Sequence, residues 1–200
     1  MFYYLEGTVT ILDQNLAVVD TGGVGYAINV SLNTMSHLEV GKKARLYTYC
    51  NIKEDAFDIY GFYDISEKRS FEMLLSVSGV GPKAAIAIMS SATPEGLALA
   101  IIEGNEKVIT AAPGVGKRIA QRIILELKDK VSKDSAALSA SGVIPQAVQG
   151  AQNAKQQEAA AALSVLGFTP QEAGAVLKSI DVENLSVEDI IREALKRTMK

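Results

Sequence analysis

Two stretches decide how the chain is read: SVSGVGPKAA (76–85) and TAAPGVGKRIA (110–120). They align at an offset of 35 residues, with Gly79 on Gly114, Val80 on Val115, Gly81 on Gly116 and Lys83 on Arg118. Each Gly-Val-Gly lies between two helix-like runs. Glycine permits positive φ and lets a ligand approach the backbone closely. A turn that opens onto a helix N-terminus presents free N–H groups and a dipole that favours an anion. Lys83, Lys117 and Arg118 add full charges beside it. Such a turn grips a phosphate oxygen without reading a base, giving position and affinity but little sequence preference. One copy alone reads equally well as an ordinary tight turn with solvated lysines. Two copies with cations at the same place argue for a repeated grip. Gly-Val-Gly-Pro-Lys-Ala lacks the third glycine of a dinucleotide fingerprint and follows a helix rather than a strand, and the spacing of an ATP-binding loop is absent.

On the N-terminal side of these turns, residues 1–63 read as β-structure. FYYLEGTVTIL (2–12), LAVVDTGGVGYAINV (16–30), ARLYTYCNI (44–52) and FDIYGFY (57–63) are short, rich in Val, Ile, Tyr and Thr, and separated by turn signals. Several short strands in about sixty residues suggest a small barrel, with the five-stranded oligonucleotide/oligosaccharide-binding (OB) fold as the natural candidate. Residues 64–134 change to a helical period in SEKRSFEMLLSV, KAAIAIMSSA, TPEGLALAIIEG, NEKVITAA and KRIAQRIILELKDKV. Residues 135–154 are mostly Ala, Ser, Gly and Gln with one Pro and no charge, a composition expected of a flexible linker. Residues 155–200 become helical again: Gly167 and Thr169-Pro170 punctuate the first two runs, and Ser186 caps the last. The expected architecture is multidomain α+β: barrel, all-helical domain, linker and a small three-helix bundle, tethered rather than packed on the rest.

Composition narrows the chemistry. The net charge of −3 excludes a polycation, so a nucleic-acid surface must be a local patch. Residues 64–134 hold ten Lys/Arg against nine Asp/Glu and form the only region with a positive balance. The single Cys50 forms no internal disulfide and reads as a core residue of a protein in a reducing compartment. His37, the only histidine, reads as a surface or half-buried side chain, and no Cys/His cluster offers a zinc site. MFYYLEGTVT lacks the pattern of a signal peptide, and no apolar run reaches the ~18 residues of a membrane span. These features point to a cytoplasmic protein needing no cofactor or metal.

NIKEDAFDIYGF (51–62) places Glu54 and Asp55 between two strand-like runs, at a hairpin tip with Lys53 before them. The plain reading is a polar turn. A nuclease would need further carboxylates or histidines converging there, and Asp58 alone does not supply them.

The doubled turn resembles the helix-hairpin-helix motif, whose pairing is typical of structure-specific DNA-binding proteins. The resemblance implies one grip from Ser78, Gly79, Val80, Gly81 and Lys83 and another from Pro113, Gly114, Val115, Gly116, Lys117 and Arg118. Both would hold duplex backbone from the minor-groove side, with Arg122 one turn further along reaching another phosphate. Taken over its whole length, the chain resembles the RuvA family of Holliday-junction-binding subunits. The order carries this: FYYLEGTV, the Lys-Glu-Asp-Ala tip, the Tyr-Gly-Phe strand end, paired hairpins, linker and C-terminal bundle.

That resemblance implies a non-catalytic homotetramer that holds a four-way junction open and square-planar, with one or two tetramers on each junction. Glu54 and Asp55 match the family's acidic pin at the junction centre, where carboxylates repel phosphates. Lys53 stands where the family usually has Arg, keeping the charge but not the planar fork. Residues 155–200 resemble the domain that contacts the RuvB ATPase, and the RuvC resolvase is a further implied partner. Paired hairpins also occur in glycosylases, nucleases and ligases. A glycosylase would need a catalytic residue after its hairpin, for which Asp129 is the candidate, and a pocket for a flipped base. A scaffold whose barrel binds protein is the third reading.

Overall fold

The computed structural model describes residues 1–140, 151–182 and 185–199. Five strands, β1 (Tyr4–Asp13), β2 (Leu16–Asp20), β3 (Gly25–Val30), β4 (Lys43–Ile52) and β5 (Phe57–Phe62), close a barrel in the order β1-β2-β3-β5-β4. All neighbours are antiparallel except β3 and β5. Closure leaves no unpaired sheet edge. Alternation selects the interior: Leu5 and Val9 of β1, Ala17 and Val19 of β2, Ile28 and Val30 of β3, Leu46 of β4 and Ile59 of β5 share one core. A short helix, α1 (Leu32–Ser36), joins β3 to β4 and is capped by Ser31. The strand-rich sequence there gave no sign of it.

β5 is buried on both faces. Ile59 points into the barrel, while Tyr60 and Phe62 join the helical core. Phe71, from α2 (Ile65–Leu75), packs on Phe62 at 4.9 Å, on Tyr60 at 5.3 Å and on Tyr49 at 5.3 Å between ring centroids. Burial, and then the nearby charge of Asp58, hold the Tyr60 phenol above its ordinary value. A polar joint lies close by. The Glu67 carboxylate is fully buried and accepts from the hydroxyls of Ser31 and Thr34 and from the Tyr63 N–H at 3.2 Å. Asp64 caps α2 by accepting from the Glu67 N–H at 2.7 Å. Barrel and helices are thus joined by an aromatic cluster and a satisfied buried carboxylate.

The helical part continues as α3 (Pro82–Ser91), α4 (Pro94–Glu103), α5 (Glu106–Thr110) and α6 (Lys117–Ala140). Thr93 and Asn105 cap α4 and α5. Three more helices follow: α7 (Ala151–Val165), α8 (Pro170–Leu177) and α9 (Val187–Thr198). Thr169 and Glu172 close a capping box on α8. Of the expected linker 135–154, residues 141–150 lie outside the described residues, 135–140 belong to α6, and α7 begins at Ala151.

The tethered bundle is corrected by the structure. Leu163, Phe168, Ile190 and Leu195 join the same apolar core as Leu74, Ile101 and Leu127. The Arg192 guanidinium of α9 lies 3.7 Å from the Glu103 carboxylate of α4. The reason is the width of the apolar faces. Leu163, Leu166, Ile190 and Leu195 lie on apolar faces that pack against the neighbouring helices as well as against one another. Among the described residues no single helix is long and apolar enough to cross a membrane.

Candidate nucleic-acid interface

The two glycine turns have the same backbone. In the first, the N–H groups of Ser76, Val77, Val80 and Ala85 donate to the carbonyls of Glu72, Leu74, Val77 and Gly81. In the second, 35 residues on, Ala111, Ala112, Val115 and Ala120 donate to Lys107, Ile109, Ala112 and Gly116. Gly79 and Gly114 both take the left-handed conformation, φ 86° and 78°, which a side chain at Cβ disfavours. The sequence repeat is therefore a structural repeat.

Exposure divides each turn into anchor and grip. Gly79, Gly81, Gly114 and Gly116 are exposed, whereas Val80 and Val115 are buried, at 7% and 5%. The valines also spend their N–H groups inside the turn, on Val77 O and Ala112 O. Their side chains fasten each turn to the helical core. Among the described residues the glycine amides have no protein acceptor. Gly81 is the N-cap of α3 and makes no side-chain cap bond, so the first amides of that helix stay open. Pro113 is exposed at the entry to the second turn.

The hairpins meet along one groove. Ser78 and Gly79 line one side, Gly116, Arg118, Ile119 and Arg122 the other, around a cavity of about 370 Å³. Lys83 and Arg118 are exposed and have no ion-pair partner among the described residues. Lys117 lies 3.9 Å from Glu106, which also accepts from Gln121 Nε2 at 2.9 Å. Arg122, expected to reach a further phosphate, also has protein partners. Its Nη1 donates to the Ser78 carbonyl at 3.3 Å, and its Nε lies 3.8 Å from Glu126. Ser78 offers no free amide either, because its N–H donates to Glu126 Oε2 at 3.2 Å. Lys130 Nζ donates to Ser76 Oγ at 2.6 Å. Sequence reasoning passed over Glu126 and Lys130. Their signal was the four-residue spacing Arg118, Arg122, Glu126, Lys130 along one helix.

The acidic pair stands apart from this groove in sequence and fold. Lys53 to Ala56 form the loop between β4 and β5, closed by the Lys53 N–H donating to Ala56 O at 2.8 Å. Lys53, Glu54 and Asp55 are all exposed at the tip, flanked by the exposed side chains of Ile52 and Phe57. Asp129 is an exposed residue within α6. Among the described residues no three His, Cys, Asp or Glu side chains converge as metal ligands. The arrangement supplies amide donors and cations in duplicate on the helical part, and carboxylates on the barrel.

Comparison with known proteins gives three family matches. Residues 1–61 match the RuvA N-terminal domain, residues 71–129 the SAM-like helix-hairpin-helix tandem, and residues 154–199 the RuvA C-terminal domain. Among similar proteins, the Holliday junction branch migration complex subunit RuvA of Acetivibrio thermocellus is 42% identical over 197 residues, 98% of each chain. The subunits of the same name from Ruminiclostridium cellulolyticum and Cytophaga hutchinsonii are 40% and 41% identical, each over 98% of this chain and 99% of theirs.

Proposed function

The chain belongs to the RuvA family, and from that premise we propose that it is the DNA-binding subunit of a branch-migration complex, recognising four-way junctions by shape. The duplicated turn carries this reading: two exposed glycine turns, related by 35 residues, bring Gly79 and Gly116 to one groove with Arg118, and Lys83 and Lys117 are exposed close by in sequence. Gly79, Gly81, Gly114 and Gly116 take phosphate oxygens on their amides, and the cations neutralise neighbouring phosphates. No base edge is read, so sequence preference is slight. Specificity comes from geometry: a homotetramer, alone or facing a second, offers four such grips to four arms held open in a plane.

Glu54 and Asp55 of each subunit stand at the junction centre. Their charge disfavours a continuous duplex across it and helps part the entering strands. Lys53 beside them contacts a phosphate. The chain performs no chemistry of its own. ATP hydrolysis belongs to a RuvB-type motor engaged through residues 155–200, and a RuvC-type resolvase acts on the same junction.

The deciding experiment is a gel shift of the full chain with a four-way junction and with a linear duplex of matching sequence, over a range of salt. The reading requires preference for the junction and a steep loss of binding as salt rises. Equal affinity for the two DNAs would refute shape recognition, and cleavage or base release would favour an enzyme.

A further inference from the structure

The face of α6 that carries Arg118, Arg122, Glu126 and Lys130 turns toward the first hairpin, and there it holds one residue by both ends. Ser78 donates its N–H to Glu126 Oε2 at 3.2 Å and accepts on its carbonyl from Arg122 Nη1 at 3.3 Å. Arg122 Nε and Glu126 Oε1, 3.8 Å apart, close the ring, and Lys130 reaches Ser76 one turn further on. Among the described residues the reverse brace is not found. The positions 35 residues before Arg122 and Glu126 are Ala87 and Ser91, and the Ser91 hydroxyl donates to Ala87 O within α3. So the helix of the second hairpin holds the turn of the first, and not the other way round.

Glu126 is an odd residue to find here. A carboxylate beside a groove that receives phosphates repels them, which weakens binding unless the group does something else. We propose that Glu126 is a positioning residue for the paired grip. It holds the Ser78 amide while Arg122 holds the carbonyl of the same residue, and this fixes Gly79–Gly81 in relation to Gly114–Gly116. Both turns then meet one backbone together. Two linked grips gain from each other only when their geometry allows simultaneous contact, and fixing that geometry beforehand removes the ordering cost of binding. The inference rests on the phosphate-gripping reading above.

Two substitutions in the full chain separate this role from bare charge. Glu126→Ala removes both carboxylate and acceptor. Glu126→Gln removes the charge and keeps an acceptor oxygen. Junction binding, measured by fluorescence anisotropy with a labelled four-strand junction across a salt series, is expected to weaken roughly tenfold in Glu126→Ala, as one hydrogen-bonded brace is lost. Its salt dependence should become shallower as phosphate contacts disengage. Glu126→Gln should rescue both affinity and slope. If the carboxylate is only a bystander, both variants bind more tightly than wild type with unchanged slopes, and the proposal is overturned. Amide exchange of Ser78 in the wild-type chain gives an answer that needs no variant to fold: slow exchange supports the brace, and exchange at the rate of an open turn contradicts it. A wild-type chain that shows no preference for the junction sinks the parent reading. A wild-type chain that shows it beside an equally competent Glu126→Ala sinks only this inference.

Discussion

Replacing Gly81 by serine should make the protein more stable and a poorer DNA binder. Gly81 sits at the N-cap of α3 with φ −95° and ψ 172°, an extended backbone open to any residue. A Cβ built there meets nothing within 4 Å. Serine is a preferred N-cap and exceeds glycine by a few tenths of a kcal/mol. Losing a glycine also lowers the entropy of the unfolded chain, a further gain of about 0.4–1 kcal/mol. The sum is about 1 kcal/mol of added stability, or about 2–4 °C in Tm for a chain of this size. The same hydroxyl accepts from the open Ala84 amide in the first turn of α3, next to the Gly79 and Gly81 amides, and so competes with phosphate at that helix end. A hydrogen bond to a charged group contributes about 1.5–3 kcal/mol, so junction affinity should fall by at least tenfold. Thermal unfolding followed by circular dichroism, paired with junction anisotropy at one fixed salt concentration, reads both effects. Unchanged affinity at a raised Tm would refute the idea that the α3 N-terminus grips phosphate. A lowered Tm would refute the reading of the turn itself.

Other expectations follow from single contacts. Arg118→Ala should weaken binding to every DNA sequence about equally and reduce the salt slope by about 0.9, one phosphate contact. Lys117→Ala should do less, because Lys117 is partly engaged by Glu106 at 3.9 Å; a reversed order in a salt titration would contradict this. Glu67→Ala leaves the hydroxyls of Ser31 and Thr34 without their carboxylate acceptor, while the Tyr63 N–H keeps Thr34 Oγ1 at 3.0 Å, and should cost on the order of 3 kcal/mol in a urea melt. A loss too small to measure would mean that water replaces the carboxylate. The Asp189 carboxyl is held below its ordinary value, first by the Ser186 hydroxyl and then by the Arg192 charge. Its support of α9 is therefore complete above the ordinary value of 3.8 and is lost as pH falls through the lower folded-state value. In an acid titration followed by circular dichroism, Asp189→Asn should lack this component. An identical acid profile in the two proteins would remove Asp189 from the account.

The features readable from the chain were those with a short-range cause. Short runs rich in Val, Ile, Tyr and Thr, such as Leu16–Asp20, mark strands because β-branched and aromatic side chains fit a pleated, half-buried surface. Thr93-Pro94 and Thr169-Pro170 mark helix starts because a hydroxyl satisfies an open amide and proline lacks one. The Gly-Val-Gly pair was legible for the same reason, since glycine is the residue that takes the positive φ of Gly79 and Gly114 without a steric penalty. Periodicity cannot tell which side of a turn faces inward. Val80 and Val115 stand between exposed glycines and yet are anchors. Nor can local pattern show that α9 has a neighbour in α4, since the width of an apolar stripe does not name the surface that covers it.

By itself, then, the sequence determined the succession of strands and helices, the repeated glycine turn and the acidic hairpin tip. Each depends on conformational preferences that act over a few residues. Only the tertiary structure decided that Glu67 ties the barrel to the helices and that Glu126 and Arg122 hold Ser78. It also placed the cations of the second hairpin beside the glycines of the first. Those partners lie 36, 48 and 44 residues apart along the chain. Such contacts exist only once the apolar core has closed and brought distant segments together, and no residue's own preference encodes where its distant partner will be.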